Sequence, residues 1–297
     1  MLISKLGEFG LIERLKKKIR VDSSVMKGIG DDCAVLEFDR KNYLLATCDM
    51  LIEGVDFTHR TDPYLIGRKA LAVSLSDIAA CAGRARYCLV SLGLAANTPV
   101  SYVDRLTRGI LDLAKRFRVN VVGGDLSRAE QLTLDVSVLG LVEKNNLTLR
   151  RGAKKGDIIF VTGELGGSIR GKHLKFTPRL KEARFLVEHF KPQAMIDISD
   201  GLAQDLGHIL KEGNSGAFIY EALIPLSGDA RNLKDALYGG EDFELLFTLP
   251  LKSAKRLLRT DHRFKPIGEI TDKKHGLTLV NKAGRLSRIP MKGFRHF

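Results

Sequence analysis

Four groups of aspartates stand at the ends of apolar runs, each beside glycine or another small residue: Gly30-Asp31-Asp32, Thr47-Cys48-Asp49, Gly123-Gly124-Asp125 and Asp197-Ile198-Ser199-Asp200-Gly201. A fifth carboxylate, Asp77, lies inside the apolar stretch 71–82. The chain that carries them is basic, with 48 Lys+Arg against 35 Asp+Glu and a formal net charge of +13. Oxygen donors gathered at strand and helix ends in such a chain suit a hard divalent cation. Mg²⁺, ordinarily shared with substrate phosphates, fits best. Two or more such ions on a triphosphate need carboxylates from several segments, and each tolerates burial only against a metal or a hydrogen-bond donor. Asp77 poses the question most sharply, because Ser74, Leu75, Ser76, Ile78 and Ala79 around it are small or apolar. Either it is paired in the interior or it sits solvated on the outer face of an amphipathic helix.

Positioning these groups requires a scaffold of strands and helices. Residues 43–49 form a short apolar run ending in a carboxylate, which predicts a strand, and 87–94 predicts another. Residues 66–82 have helical spacing of small and apolar residues. In 101–117, Val103, Leu106, Ile110, Leu113, Ala114 and Phe117 make a 3.6-residue stripe. A strand at 119–122 leads into Gly123-Gly124-Asp125, read as a turn whose glycines let backbone N–H groups approach phosphate. Residues 131–142 alternate as a half-buried strand does. The polar, basic segment 144–157 is the predicted boundary between halves, giving domains 1–146 and 147–297. Beyond it, 157–163 reads as a strand entering a Gly-rich turn, 179–190 and 201–211 as helices, and 241–249 and 264–270 as strands. Ser199 or Asp200 is placed to cap the second of those helices, or to meet a phosphate at its N-terminus. The irregular alternation of strands and helices predicts an α+β fold with mixed sheets.

Composition excludes several classes. The 297 residues suffice for two domains, and the 44% apolar content is too high for a disordered chain. No apolar run approaches the ~20 residues of a membrane-spanning helix. The first residues lack the apolar core and cleavage site of a secretory signal, so a cytoplasmic location is expected. Cys33, Cys48, Cys81 and Cys88 form no C-x-x-C pair and have no His at zinc-ligand spacing. The basic residues are dispersed, as in Lys16-Lys17-Lys18, Arg150-Arg151 and Lys273-Lys274, and no nucleic-acid motif accompanies them. Their plainest role is a solvated surface that attracts anionic substrates, without nucleic acid or membrane as partner. There is no G-x-x-x-x-G-K-[ST], no G-x-G-x-x-G after a strand, no kinase H-R-D or D-F-G set and no Ser nucleophile elbow. An ATP-using protein with this sequence needs an architecture outside those.

Taken in order, GIGDDCAVL (28–36), TCDMLIEGVDF (47–57), KALAVSLSDIAACAG (69–83), GGD (123–125), IDISDGL (196–202), GGEDFELLFT (239–248) and KGFRHF (292–297) resemble the thiamine-monophosphate kinase family. That family is part of the aminoimidazole-ribonucleotide-synthetase-like superfamily, and the motifs span nearly the whole chain. The resemblance implies a homodimer in which the N-terminal halves contribute strands to a shared barrel, beside a larger C-terminal α+β half. It implies the reaction ATP + thiamine monophosphate → ADP + thiamine diphosphate with several Mg²⁺ ions. It implies metal ligands at Asp32, Thr47, Asp49, Asp77, Asp125, Asp197 and Asp200, and ATP contacts at Gly124, Asp125, Arg150 and Ser199. Glu241 and Phe294 match positions that contact the acceptor, where an aromatic ring and a carboxylate suit a cationic thiazolium and an aminopyrimidine.

Two positions depart from the family pattern. Cys48 replaces the usual Thr or Ser beside Asp49, which is harmless if that contact is a backbone carbonyl and costs a ligand if it is a hydroxyl. Asp56 stands where many members carry a substrate-contacting His, and is retained as an acceptor-site residue because a carboxylate also faces a cationic ring. The alternative is another ATP-using superfamily member acting on a different acceptor. Two relatives fit poorly: residues 1–27 contain no Cys for selenophosphate chemistry, and the chain ends Arg295-His296-Phe297 rather than in a cysteine. No general base is expected, because a phosphate acceptor with a second pKa of about 6 is largely ionised near neutrality.

Overall fold

The computed structural model describes residues 2–260 and 263–297. Two short helices, α1 (Ile3–Leu6) and α2 (Glu8–Lys16), precede the first sheet. That sheet is built from β1 (Val25–Lys27), β2 (Ala34–Glu37), β3 (Asn42–Ile52), β4 (Arg84–Leu94), β5 (Asn120–Arg128) and β6 (Thr133–Glu143), in the order β1-β2-β3-β6-β4-β5. In β6, Leu134, Val136, Val138, Gly140 and Val142 are buried on one face, as its period-two pattern requires. Helices α3 (Pro63–Ala80) and α4 (Val100–Phe117) belong to the same half. The chain enters α3 through Asp62, whose side chain accepts from the Tyr64 N–H at 2.9 Å, followed by Pro63 in the first turn. The two helices approach very closely: a Cβ on Gly67 would lie 2.0 Å from the Leu106 carbonyl oxygen, and one on Gly109 2.0 Å from that of Tyr64.

Second come β7 (Ile158–Val161), α5 (Lys172–Lys175), α6 (Leu180–His189), β8 (Ala194–Asp197), α7 (Leu202–Gly213), β9 (Ser215–Tyr220) and α8 (Leu233–Tyr238). The chain continues through β10 (Leu245–Leu249), α9 (Leu251–Leu257), β11 (Lys265–Asp272), β12 (Leu277–Val280) and β13 (Leu286–Arg288). The strands order as β13-β12-β9-β11-β7-β10-β8, antiparallel except for the parallel pair β9 and β12. Alternate residues of each strand enter different cores. Ile159, Val161, Ala194 and Ile196 pack with α7 on one face. Phe160, Met195, Phe247 and Phe264 pack with α6 and α9 on the other.

Helix α3 belongs to both halves. Leu71, Ala72 and Leu75 lie in the core of the first sheet, whereas Ala79, Ala80 and the following Ala82 are buried with Phe160 and Phe247 of the second. An apolar helix with buried residues all round is what the uninterrupted run in its sequence demands.

Three local expectations need correction. Gly123-Gly124-Asp125 is not a strand-end turn: β5 runs through it, paired parallel with β4 from Asn120 to Arg128. Gly124 is obligatory there, because its φ is +158° and a Cβ would lie 1.7 Å from the Val90 carbonyl oxygen. The strand expected over 241–249 begins only at Leu245, since Glu241 and Phe243 take positive φ and hydrogen-bond instead to the 198–199 backbone. Helix α7 starts at Gly201 without a side-chain cap. Asp205, inside the helix, accepts from the Asp200 and Gly201 N–H groups at 3.1 and 3.0 Å and does the capping. Among the described residues, no helix is long and apolar enough to cross a membrane.

Candidate active site at the junction of the two sheets

Carboxylates from three elements converge where α3 passes between the sheets. Asp32 comes from the loop before β2, Asp77 from α3 and Asp197 from the end of β8, with carboxylate oxygens within 4.8 Å of one another. One cation reaches them: the Arg150 guanidinium donates to Asp32 Oδ1 at 2.7 Å. The Arg150 N–H also donates to Asp31 Oδ1 at 3.2 Å. Hydroxyls supply the rest. Thr47 donates to Asp77 at 2.5 Å, Ser74 to Asp49 at 2.7 Å and Ser76 to Asp197 at 2.5 Å. Thr47 and Asp49 are two apart on β3, so both face α3. The buried atoms Asp32 Oδ2 and Arg150 Nε have no hydrogen-bond partner among the described residues, and neither does Asp31 Oδ2, which has Lys27 Nζ 3.7 Å away.

Electrostatics reflect this shortage of positive charge. Burial, reinforced by Asp32, pushes Asp197 up to about 7 and Asp31 to about 6. Burial also raises Asp49 to about 6, against the Ser74 hydrogen bond, and raises Asp200 to about 6 with Glu8 adding to it. Asp77 is driven well above the carboxylate range by burial, then by Asp49 and Asp197. Unpaired buried oxygens and disfavoured charges are what a set of hard-cation ligands shows before the cation is counted. The residues present therefore fit Mg²⁺.

Asp125 stands apart from this group. Its register partners across the first sheet are Ser91, then Asp135, then Met50. Residues in register share a face, so Asp125 lies on the outer face, opposite Asp49. It is exposed and accepts from Ser127 at 3.1 Å. Cys48 is on that outer face too and exposed, so its thiol points away from Asp49 and Asp77. The substitution at this position therefore removes no side-chain group from the buried cluster.

Two cavities meet at the Ser199-Asp200 turn, which lines both. The first, about 350 Å³, holds the carboxylates Asp49, Asp56, Asp200 and Glu241 among Leu51, Val55, Val73, Phe243 and Phe294. Its walls suit a cationic, flat ligand. Phe294 is held there by its N–H, which donates to the Asp200 carbonyl at 3.0 Å. Asp56 lends one carboxylate oxygen to the Ile52 N–H at 2.7 Å, so only the other is open to a ligand. The second cavity, about 630 Å³, is bordered by Gly30, Asp31, Arg150, Lys16, Lys211 and His208. Burial and the nearby Arg150 lower His208 to about 4 and keep its ring neutral.

Behind the first cavity, segment 241–244 is anchored by salt bridges. Glu244 accepts two bonds from Arg179, each 2.7 Å, one from Lys172 at 3.1 Å and one from Thr162 at 2.7 Å. Asp242 accepts from the Gly166 N–H at 2.8 Å. Lys69, wholly buried on α3, bonds Glu241 and the Asp56 carbonyl.

The structure thus brings Asp32, Thr47, Asp49, Asp77, Asp197 and Arg150 into one cluster. It places Ser199, Asp200, Glu241, Asp56 and Phe294 around the adjoining cavities, and leaves Gly124 and Asp125 on the edge strand. Sequence reasoning missed Ser74 and Ser76, which hold two of the aspartates, and Lys69. The signal for Lys69 was present: a charge within an apolar helix, the same argument that singled out Asp77.

Comparison with known proteins identifies the family. Full-length relatives include the thiamine-monophosphate kinases of Escherichia coli strain K12, 34% identical over 98% of each chain, and of Aquifex aeolicus, 32% identical over 100% of each. The chain is an enzyme of the thiamine-monophosphate kinase family. Residues 30–142 also match the AIR synthase related protein, N-terminal domain. Among solved structures, AaThiL complexed with AMPPCP and TMP superposes with a TM-score of 0.88 at 31% identity, covering 100% of this chain and 99% of that one. The thiamine monophosphate kinase of Stenotrophomonas maltophilia K279a gives 0.73 at 31% identity, covering 92% and 96%. The hydrogenase maturation protein HypE shares the fold alone, at 18–19% identity.

Proposed function

We propose that this enzyme transfers the terminal phosphoryl group of ATP to thiamine monophosphate, giving ADP and thiamine diphosphate by direct in-line displacement assisted by Mg²⁺. One observation carries the reading. A cation-poor carboxylate cluster adjoins both an acid-lined aromatic cavity and a cavity bordered by Arg150, and the two cavities share the Ser199-Asp200 turn. AaThiL, which superposes over the whole chain, is complexed with an ATP analogue and TMP, and supports the same pair of ligands here.

In this reading Asp32, Thr47, Asp49, Asp77, Asp197 and Asp200 hold the metal ions, and Asp125, on the opposite face of the sheet, is not among them. When bound, Mg²⁺ would offset the repulsion between two phosphate chains and the charge on the transferred group. Arg150 and Ser199 orient the ATP phosphates. Asp56, Glu241 and Phe294 hold the acceptor, the ring stacking and the carboxylates meeting positive charge and N–H donors. No side chain needs to take a proton, because the acceptor phosphate is already largely ionised. The chain's contribution is alignment and electrostatics.

In the proposed assembly residues 1–146 bind ATP and dimerise, while 147–297 form the C-terminal α+β half. Two copies close their first sheets into a shared barrel. Exposed apolar residues on β3, β4 and β5 support this: Met50, Tyr87, Leu89 and Val122. The reaction belongs to the cytoplasm and needs neither nucleic acid nor membrane.

The test is ADP release from Mg·ATP with and without thiamine monophosphate, the product being identified by mass. Acceptor-dependent release with thiamine diphosphate formed is expected. Release independent of the acceptor, or none, would move the chain to another superfamily chemistry.

A further inference from the structure

Lys69 is a charged side chain with no exposure to solvent. A buried ammonium must spend all three of its protons on acceptors. Three polar groups meet it: the Asp56 carbonyl at 2.8 Å, His173 Nδ1 at 3.1 Å and Glu241 Oε1. They come from three segments: the loop after β3, helix α5 and the turn before β10. The first and last of these line the acid-lined cavity.

Glu241 is held in an unusual state by this arrangement. Its φ is +66°, a conformation that non-glycine residues seldom take. Its N–H donates to the Ser199 carbonyl at 2.7 Å, which ties it to the turn shared by both cavities. One carboxylate oxygen is committed to Lys69. The other, Oε2, is buried and lies 2.9 Å from His173 Nδ1. His173 Nδ1 is also 3.1 Å from Lys69 Nζ, so lysine, histidine and carboxylate form one buried triad. Burial opposes the charge on Glu241, yet His173 and Lys69 outweigh it and hold the carboxyl below its usual range. The result is an ionised carboxylate fixed in place by two side chains.

We propose that Lys69 is a positioning residue for acceptor recognition: it fixes the Glu241 carboxylate where it accepts from an N–H of the bound substrate, and ties the Asp56 loop to the same anchor. The inference rests on the kinase reading above and deepens it. An amino-substituted heterocycle supplies that donor, and a ligand lacking the N–H forfeits the contact.

Steady-state kinetics on Lys69→Met, Glu241→Gln and the double variant test it, with thermal melts of each. Lys69→Met is expected to raise KM for thiamine monophosphate at least about tenfold while KM for ATP stays within about twofold. If the unpaired Glu241 prevents Lys69→Met from folding, the double variant carries the test, since it buries no unpaired charge. Because Lys69 acts through Glu241, the double variant should match Glu241→Gln alone in KM for the acceptor. A lower Tm with both KM values unchanged would make Lys69 structural only and overturn the inference. So would a double variant in which the two losses multiply. Wild-type turnover is the independent control: its absence defeats the kinase reading, whereas its presence with unchanged acceptor KM in the variants defeats only the role of Lys69.

Discussion

Two buried groups of carboxylates lie near each other in this protein and are built on opposite terms. Glu244 and Glu241 are met by Arg179, Lys172 and Lys69, and their charged forms are favoured over burial. Asp77 and Asp197 are met by hydroxyls, with Arg150 the nearby cation, bonded to Asp32, and their charged forms are disfavoured. The first group is complete within the chain and fixes the shape of segment 241–244. The second is incomplete within the chain, and in the proposed reading that deficit reserves space and negative charge for cations that arrive with substrate. In a chain this basic, the cluster is nonetheless met mainly by hydroxyls, with Arg150 bonded to Asp32.

Asparagine at Asp77 should expose the contrast most strongly. The charge it removes is unfavourable without metal, so Asp77→Asn is expected to keep or raise Tm in chelator while turnover falls by about 100-fold or more. Normal turnover would break the metal-cluster reading. Arg179→Leu should do the reverse. It leaves Glu244 short of its bidentate partner, with an expected loss of about 3 kcal/mol in chemical denaturation. Activity per folded molecule should persist, and a specific loss of kcat without loss of stability would erase the distinction between the groups. Smallest is the effect of pH on the metal-free protein. Asp31, Asp49 and Asp200 titrate at about 6 and Asp197 at about 7 when folded, against 3.8 ordinarily. Between pH ~4 and ~7 the folded chain then binds more protons than the unfolded one, so stability falls as pH rises through that window. His208, held neutral down to about 4, works in the opposite sense but is a single group. Melts in chelator should therefore be higher at pH 5.5 than at 7.5, and Mg²⁺ should shrink the gap. A metal-free Tm that climbs with pH would contradict the cluster's charge balance.

Much of this was legible in the sequence because it follows local rules. The period-two run in β6 and the 3.6-residue stripe of α4 declared themselves, and the apolar run with a charge inside it marked α3 and Asp77. Other features depend on partners far away in the chain. Gly123-Gly124-Asp125 has the composition of a turn, but pairing with β4 draws it into a strand. Asp205 outcompetes Ser199 and Asp200 as the cap of α7 because Asp200 faces the cavities instead. That Asp49 and Asp125 lie on opposite faces follows from register across four strands, which no short motif encodes. The short strands β12 and β13 carry too few residues for a periodic signal.

The sharing of α3 between two cores has a consequence for synthesis. Ala79, Ala80 and Ala82 find their cover in Phe160, Phe247 and Phe264, the last of which is made more than 180 residues after the helix itself. At ~5–20 residues per second the nascent first half waits on the order of 10–40 s with that end of α3 uncovered. The exposed surface there is alanine rather than leucine or phenylalanine, which makes the unfinished helix end a weak target for premature association while the rest of the chain is still being made.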